Sequence, residues 1–202
     1  MICVVTLCAA QPSMGLVVSE VMYNPAADGG ELEFIELYNN RAVFEDITGY
    51  VFTNGIHYVF ETETIIGPKE FLVVAQNPAV LEAAYGINGV RGPFTGQLSN
   101  DGERVELSSA NGEIVISLRY DDGMPWPASA DGTGHSLILA EQGEDPDEAS
   151  TWSASTYIGG TPGGPDTIQA GSEDPTLVTL VDIGHPGRYF KGTEEPSTER
   201  GG

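Results

Sequence analysis

The feature that most constrains this chain is the regular alternation of short β-prone runs with turn residues between residues 16 and 166. Runs rich in β-branched, aromatic and aliphatic side chains recur about every 8–12 positions, each stopped by Asn, Asp, Gly or Pro. Residues 16–23 end at Asn24-Pro25. Residues 32–38 alternate, with Leu32, Phe34, Glu36 and Tyr38 on one face and Glu33, Ile35 and Leu37 on the other. Asp46-Ile47-Thr48-Gly49 turns the chain into Tyr50-Val51-Phe52, and Asn54-Gly55 folds it back into His57-Tyr58-Val59-Phe60 as a hairpin. Gly67-Pro68 precedes Phe71-Leu72-Val73-Val74. Asp101-Gly102 opens Arg104-Val105-Glu106-Leu107, and Asn111-Gly112 leads into residues 114–120, which predicts a second hairpin. Ser136-Leu137-Ile138-Leu139 is a late strand. One stretch reads as helix: Asn77 as cap, Pro78 in the first turn, residues 79–85 as formers and Gly86 as terminator. Without long helical crossovers a parallel sheet cannot be wired. The expected fold is therefore all-β, an antiparallel β-sandwich of about seven to nine strands with one short helix.

The 202 residues hold one domain of ordinary size plus short tails. A domain of about 150 residues buries roughly 70% of its unfolded surface, so a core can form without disulfides or metal. Lys and Arg number 8 against 30 Asp and Glu, a net charge of −22. So negative a surface repels phosphate and offers few cations to displace counterions, which argues against nucleic-acid binding. It would also repel anionic lipid, and it favours basic partners, cations, or simply solubility in a salt-rich habitat.

The two ends differ from the body. Residues 1–15 carry an apolar run, Ile2-Cys3-Val4-Val5-Thr6-Leu7-Cys8-Ala9-Ala10, too short for a transmembrane helix. It reads as a secretory signal lacking its basic start, with an apolar first strand as the alternative. Cys8 as a lipoprotein cysteine is poorly matched by the Leu7 before it. Cleavage would leave a mature chain without cysteine and without membrane insertion. Residues 167–202 read as a linker, with a further strand at 177–183, then the opening of a missing module and a polar end.

Several motifs stand in a familiar order. Val18-Ser19-Glu20-Val21-Met22-Tyr23-Asn24-Pro25 is similar to the opening strand of the lamin-tail domain family, and Glu33-Phe34-Ile35-Glu36-Leu37-Tyr38-Asn39 resembles its second strand. Asp46-Ile47-Thr48-Gly49-Tyr50 resembles the family's Asp-Leu-Ser-Gly-Trp turn, with Tyr in place of Trp. Gly96-Gln97-Leu98-Ser99-Asn100-Asp101-Gly102-Glu103, Trp126-Pro127, Asp131-Gly132-Thr133-Gly134-His135-Ser136-Leu137, Trp152 and Gly160-Thr161-Pro162-Gly163 resemble its later motifs. The resemblance spans residues 16–166. It implies an immunoglobulin-like sandwich with no enzymatic activity of its own. Bacterial members of this type sit in exported, multi-module proteins, often beside hydrolase or spore-coat-kinase-like domains. The DNA binding of nuclear lamin tails does not carry over to so acidic a chain.

Each motif residue has a structural role to fill. Phe34 and Tyr38 share one face and are expected to pack into the inter-sheet core. Glu33 and Glu36 are expected on opposite faces, one solvated and the other capping backbone donors. Trp126 and Trp152 are expected to plug the sandwich ends, and Asn24 and Asn39 to satisfy loop backbone groups.

Reactive constellations are sparse. The histidines are His57, His135 and His185, with no His-x-x-x-His or Cys-x-x-Cys pair for zinc. His135 reads as a hydrogen-bonded structural residue rather than a base. Gly134-His135-Ser136-Leu137 lacks the Gly-x-Ser-x-Gly elbow of a serine hydrolase, and no phosphate-cradling loop is present. Calcium is the one plausible cofactor. Its weak candidates are Asp121 and Asp122 in one acidic loop and Asp145 and Asp147 in Glu144-Asp145-Pro146-Asp147-Glu148; neither loop has the spaced ligand pattern of a calcium hand. The expected function is a non-catalytic module of an exported or cell-surface protein that mediates protein or surface attachment. The alternative is a polysaccharide- or calcium-binding accessory module, with Tyr85 and Phe94 as candidate sugar-stacking rings.

Overall fold

The β-branched opening run becomes strand β1 (Leu16–Met22), and it carries the irregularity that organises the rest. In this computed structural model, which describes residues 15–26, 30–140 and 145–167, β1 pairs antiparallel with β2 (Phe34–Asn39), with a bulge between Val18 and Glu20. Before the bulge Leu16 and Val18 face the core; after it Val21 and Tyr23 do. One extra residue reverses the phase of a period-two strand.

The strands continue as β3 (Glu45–Asp46), β4 (Val51–Asn54), β5 (Ile56–Val59), β6 (Ile65–Ile66), β7 (Phe71–Ala75), β8 (Thr95–Gly96), β9 (Glu103–Ser108), β10 (Ile114–Tyr120), β11 (Leu137–Leu139) and β12 (Trp152–Ala154). One five-stranded sheet runs β12-β11-β1-β2-β7 and a second runs β10-β9-β4-β5-β8, with β3 and β6 as a small ribbon. The pairings between strands are antiparallel. One buried cluster joins the sheets face to face, with Val18, Val21, Ile35, Leu37 and Val74 from the first against Phe52, Val105, Leu107, Leu118 and Tyr120 from the second. This is the expected sandwich. The strand total exceeds the expectation because β3, β6 and β8 are two residues long, below what a hydrophobic pattern can mark.

Both hairpins form as the turn chemistry requires, β4–β5 around Asn54-Gly55 and β9–β10 around Asn111-Gly112. Helix α1 (Pro78–Tyr85) forms where expected. The Asn77 side chain accepts from Val80 N, and Gly86 closes the helix at φ 66, donating its N–H to the Glu82 carbonyl. The helix lies over the outer face of the first sheet, where Leu81 joins Met22, Phe34, Val73 and Ala75 in a second buried cluster.

That cluster corrects two expectations. Phe34 packs beneath α1 rather than between the sheets, and Tyr38 stacks on Phe71 at 4.6 Å on the same outer face. The inward residues of β2 are Ile35 and Leu37. Both faces of β2 are covered, so its alternation has no exposed phase to tell inside from outside. Trp126 and Trp152 stand 6.3 Å apart, ring to ring, with Trp152 buried in the core and Trp126 packed against it.

The described residues belong to one unit, Met1–Ile168; a second, Gln169–Gly202, lies outside them. Cys3, Cys8, the expected signal up to residue 14, the strand at 177–183 and His185 also lie outside the described residues.

Candidate functional site

The bulge in β1 turns Glu20 onto the outer face of the first sheet, where it lies in register with Glu36 of β2. Each is 1% exposed. Two carboxylates directly opposed across a ladder repel if both are charged. Here each is held by a neighbouring serine hydroxyl and by a backbone N–H from a strap that returns over the sheet after β12. Glu20 accepts from the Ser136 hydroxyl at 2.5 Å and from Thr161 N at 3.0 Å. Glu36 accepts from the Ser19 hydroxyl at 2.7 Å and from Gly163 N at 2.6 Å. Two strand carboxylates thus anchor the Gly160-Thr161-Pro162-Gly163 motif.

Burial pushes the Glu20 carboxyl up to about 7, with the Asp166 charge adding to it. Burial, then the charge on Glu20, pushes Glu36 up to about 8. Near neutral pH the pair therefore keeps protons that exposed carboxyls would release. A groove of about 400 Å³ opens beside the pair, lined among others by Ser19, Tyr38, Phe71, Leu139 and Asp166.

Glu33 plays the same part at one end of the sandwich. It is 4% exposed, and its Oε2 accepts from Leu98 N at 2.8 Å. Burial, then the Glu103 charge, raises its carboxyl to about 7. The expectation that one of Glu33 and Glu36 would be solvated is therefore corrected: both are buried and both accept from backbone N–H groups. Asn39 satisfies loop backbone as expected, donating to the carbonyls of Val43, Ile66 and Gly67 and accepting from Arg41 N. Asn24 donates instead to the Asp131 side chain at 2.7 Å.

His135 Nδ1 lies 2.8 Å from the Ser155 carbonyl oxygen, which fixes its proton on that nitrogen. Ser136 is committed to Glu20, so the neighbouring pair forms no nucleophile and base. Among the described residues, every buried side-chain N or O atom has a partner. Phe94 is buried in the core, and the Tyr85 hydroxyl donates to the Gly159 carbonyl at 2.6 Å. They form no exposed stripe of rings.

The calcium candidates are engaged locally. Asp121 Oδ1 accepts from Gly123 N at 2.9 Å, and Asp145 Oδ1 from Asp147 N at 3.0 Å. Asp147 accepts from the Arg104 guanidinium at 2.7 Å and from Arg119 N at 2.7 Å, closing one end of the β10 edge. Asp122 lies in the turn after β10. No group of three or more His, Cys, Asp or Glu side chains that could hold a metal ion occurs among the described residues. No helix among them is long and apolar enough to cross a membrane.

The sequence did not single out Glu20. Its signal was present: a carboxylate inside the apolar run Leu16-Val17-Val18-Ser19-Glu20-Val21-Met22 must be paired if that run is buried. The model of the Lamin Tail Domain family matches residues 9–122, more than half of the chain. No curated protein matches it.

Proposed function

Because this chain belongs to the lamin tail domain family, an immunoglobulin-like and generally non-catalytic family, we propose that it is a structural and interaction module of an exported protein. In this role it attaches a neighbouring domain, or another surface protein, at the cell exterior. The observation that supports a binding role over a catalytic one is the engagement of Glu20, Glu33, Glu36, His135 and Ser136 in bonds that hold the fold together. A reactive site needs groups aimed at a substrate position, and these are aimed at backbone and hydroxyl partners. Export is supported by the apolar run of residues 2–10 with Ala9 and Ala10 at its end. The charge of −22 keeps such a module soluble and favours basic partners.

The test is expression of the chain, with and without residues 1–15, fused to a reporter in a secreting bacterial host. Export that requires residues 1–15, with retention of the reporter on the cell surface, is the expected result. A reporter that stays inside the cell in both forms, or is released with no effect of the module on its position, overturns the proposal.

A further inference from the structure

The edges of the two sheets are protected unequally. On β7, Ala75 N donates to the Arg91 carbonyl and Arg91 N to the Val73 carbonyl, so a loop covers that edge. Edge strand β8 has two residues and β12 has three. Short or covered edges are the usual protection against strand addition. Strand β10 has seven residues and pairs with β9 alone.

Only one end of β10 is closed. Arg119 N points away from β9 and donates to Asp147. The pairing runs without interruption from Ser117 opposite Glu106 to Tyr120 opposite Glu103. Alternation in an antiparallel ladder therefore turns the Ser117 N–H outward as well. Among the described residues no strand other than β9 pairs with that part of the edge, and no loop backbone hydrogen-bonds to it. Beside it, Ile114 is 55% and Val115 37% exposed, aliphatic side chains on the kind of strand that usually carries Lys or Pro. A recess of about 190 Å³ lies next to Val115, walled by Gly15, Leu16, Arg41, Glu45 and Tyr50.

The local charge defines what fits. Arg41 is paired with Glu45 and Arg104 with Asp147. Glu113 precedes the open segment and Glu106 stands opposite Ser117, neither in an ion pair among the described residues. A second copy of the chain would bring another −22 charges to this edge, which disfavours self-pairing.

We infer that the open half of the β10 edge, residues 114–117, takes up an extended, basic segment of a different protein. That segment adds a sixth strand to the sheet and sets one apolar side chain into the recess beside Val115. The inference rests on the interaction role proposed above and names the surface that carries it.

The test titrates the full chain, in 150 mM salt, with the peptide Lys-Val-Lys-Leu-Lys-Val-Lys and with Lys-Pro-Lys-Leu-Lys-Pro-Lys. The second has the same charge but cannot complete a ladder. Backbone amide NMR reads the site. The first peptide is expected to give saturable shifts at residues 113–117 and around Leu16 and Tyr50, and to bind at least fivefold more tightly than the proline peptide. Ile114→Lys, an exposed change, is expected to lower affinity at least fivefold with an unchanged melting midpoint. Equal binding of the two peptides, shifts spread evenly over the acidic surface, or unaltered binding by Ile114→Lys would each overturn the assignment. So would a dimer of the chain that shields 114–117. A surface-retained reporter that Ile114→Lys leaves in place would keep the interaction role and remove this edge from it.

Discussion

Glu20 and Glu36 face each other across the β1–β2 ladder, both buried, and each accepts a backbone N–H from the strap that crosses over them. The arrangement joins three distant parts of the chain: the bulge at Ser19, the second strand and the Gly160-Thr161-Pro162-Gly163 motif. It also makes the fold sensitive to the protonation of its own interior.

The pH dependence follows from the sign of the shifts. Glu20, Glu33 and Glu36 have folded-state values of about 7, 7 and 8, against an ordinary 4.5. Below pH 4.5 both folded and unfolded chains hold these protons. Between about 4.5 and 8 the unfolded chain releases them and the folded chain keeps them, so stability is lost as pH rises through that window. Urea unfolding at pH 5 and pH 8 is expected to show greater stability at pH 5, by on the order of 2 kcal/mol for each of the three groups and several kcal/mol together. Equal or greater stability at pH 8 would contradict the buried, proton-retaining state of these groups.

Substitutions at Glu36 separate charge from hydrogen bonding. At pH 7 its raised value keeps it largely neutral, so Glu36→Gln preserves shape and most acceptor capacity and is expected to change stability by less than about 1 kcal/mol. Glu36→Ala leaves Gly163 N without its partner and the Ser19 hydroxyl with only its longer 3.3 Å bond to the Glu36 carbonyl, and is expected to destabilise by about 2–3 kcal/mol. Chemical denaturation of both variants checks the order, and a Gln variant as damaged as the Ala variant would show that the charge itself is required.

Gly160 tests how tightly the strap is seated. It has φ +77, and a Cβ there would collide with the Glu20 carboxylate and approach Ser136 Oγ. Gly160→Ala is expected to lower stability by about 3 kcal/mol, from backbone strain and the displaced carboxylate together. Gly164→Ala, where a Cβ meets nothing within 4 Å, is the control and is expected to be near neutral. Similar thermal midpoints for the two variants would mean the strap does not bear on Glu20.

Asp147 ties the loop after β11 to the β9–β10 hairpin. Its pair with Arg104 is about one-third exposed on each side, so Asp147→Ala is expected to cost about 1 kcal/mol, and less at 0.5 M salt. Calcium at Asp121, Asp122, Asp145 and Asp147 would have to draw Asp147 away from Arg104 and Arg119 N. Melting in millimolar calcium and in chelator is therefore expected to give the same midpoint. A rise of several degrees with calcium, abolished by Asp147→Ala, would establish a cation site there.

What the sequence makes legible is what local chemistry decides. Asn54-Gly55 and Asn111-Gly112 specify hairpins, and Asn77, Pro78 and Gly86 bound the helix, because each acts within a few residues of itself. Phe34 and Tyr38 are misplaced by pattern alone because α1 and the strap cover the face they occupy, leaving no polar phase in β2. Glu20 escapes for a related reason. Unbroken alternation from Leu16 and Val18 would point it into the inter-sheet core, and no Gly or Pro marks the bulge that turns it outward. Its partner Thr161 is 141 positions away, a distance over which no local rule operates.

Asn39 offers the sharpest test of a polar group the sequence did mark. It is fully buried, and its Nδ2 faces the carbonyl oxygens of Val43 at 2.7 Å, Gly67 at 3.0 Å and Ile66 at 3.1 Å. Its Oδ1 accepts from Arg41 N at 2.9 Å. The amide thus joins the end of β2 to the loops on both sides of the β3–β6 ribbon. Asn39→Asp is nearly isosteric, so packing is preserved while the donor is replaced by an oxygen facing three others. That substitution is expected to destabilise by about 3 kcal/mol or more at pH 7, and less at pH 4, where a protonated carboxyl restores one donor. Asn39→Ser, which is smaller but can still donate, is expected to fall between the two. If Asn39→Asp unfolds in urea at the same midpoint as the parent at pH 7, the three carbonyls do not depend on this side chain and the loops are held by their backbone bonds alone.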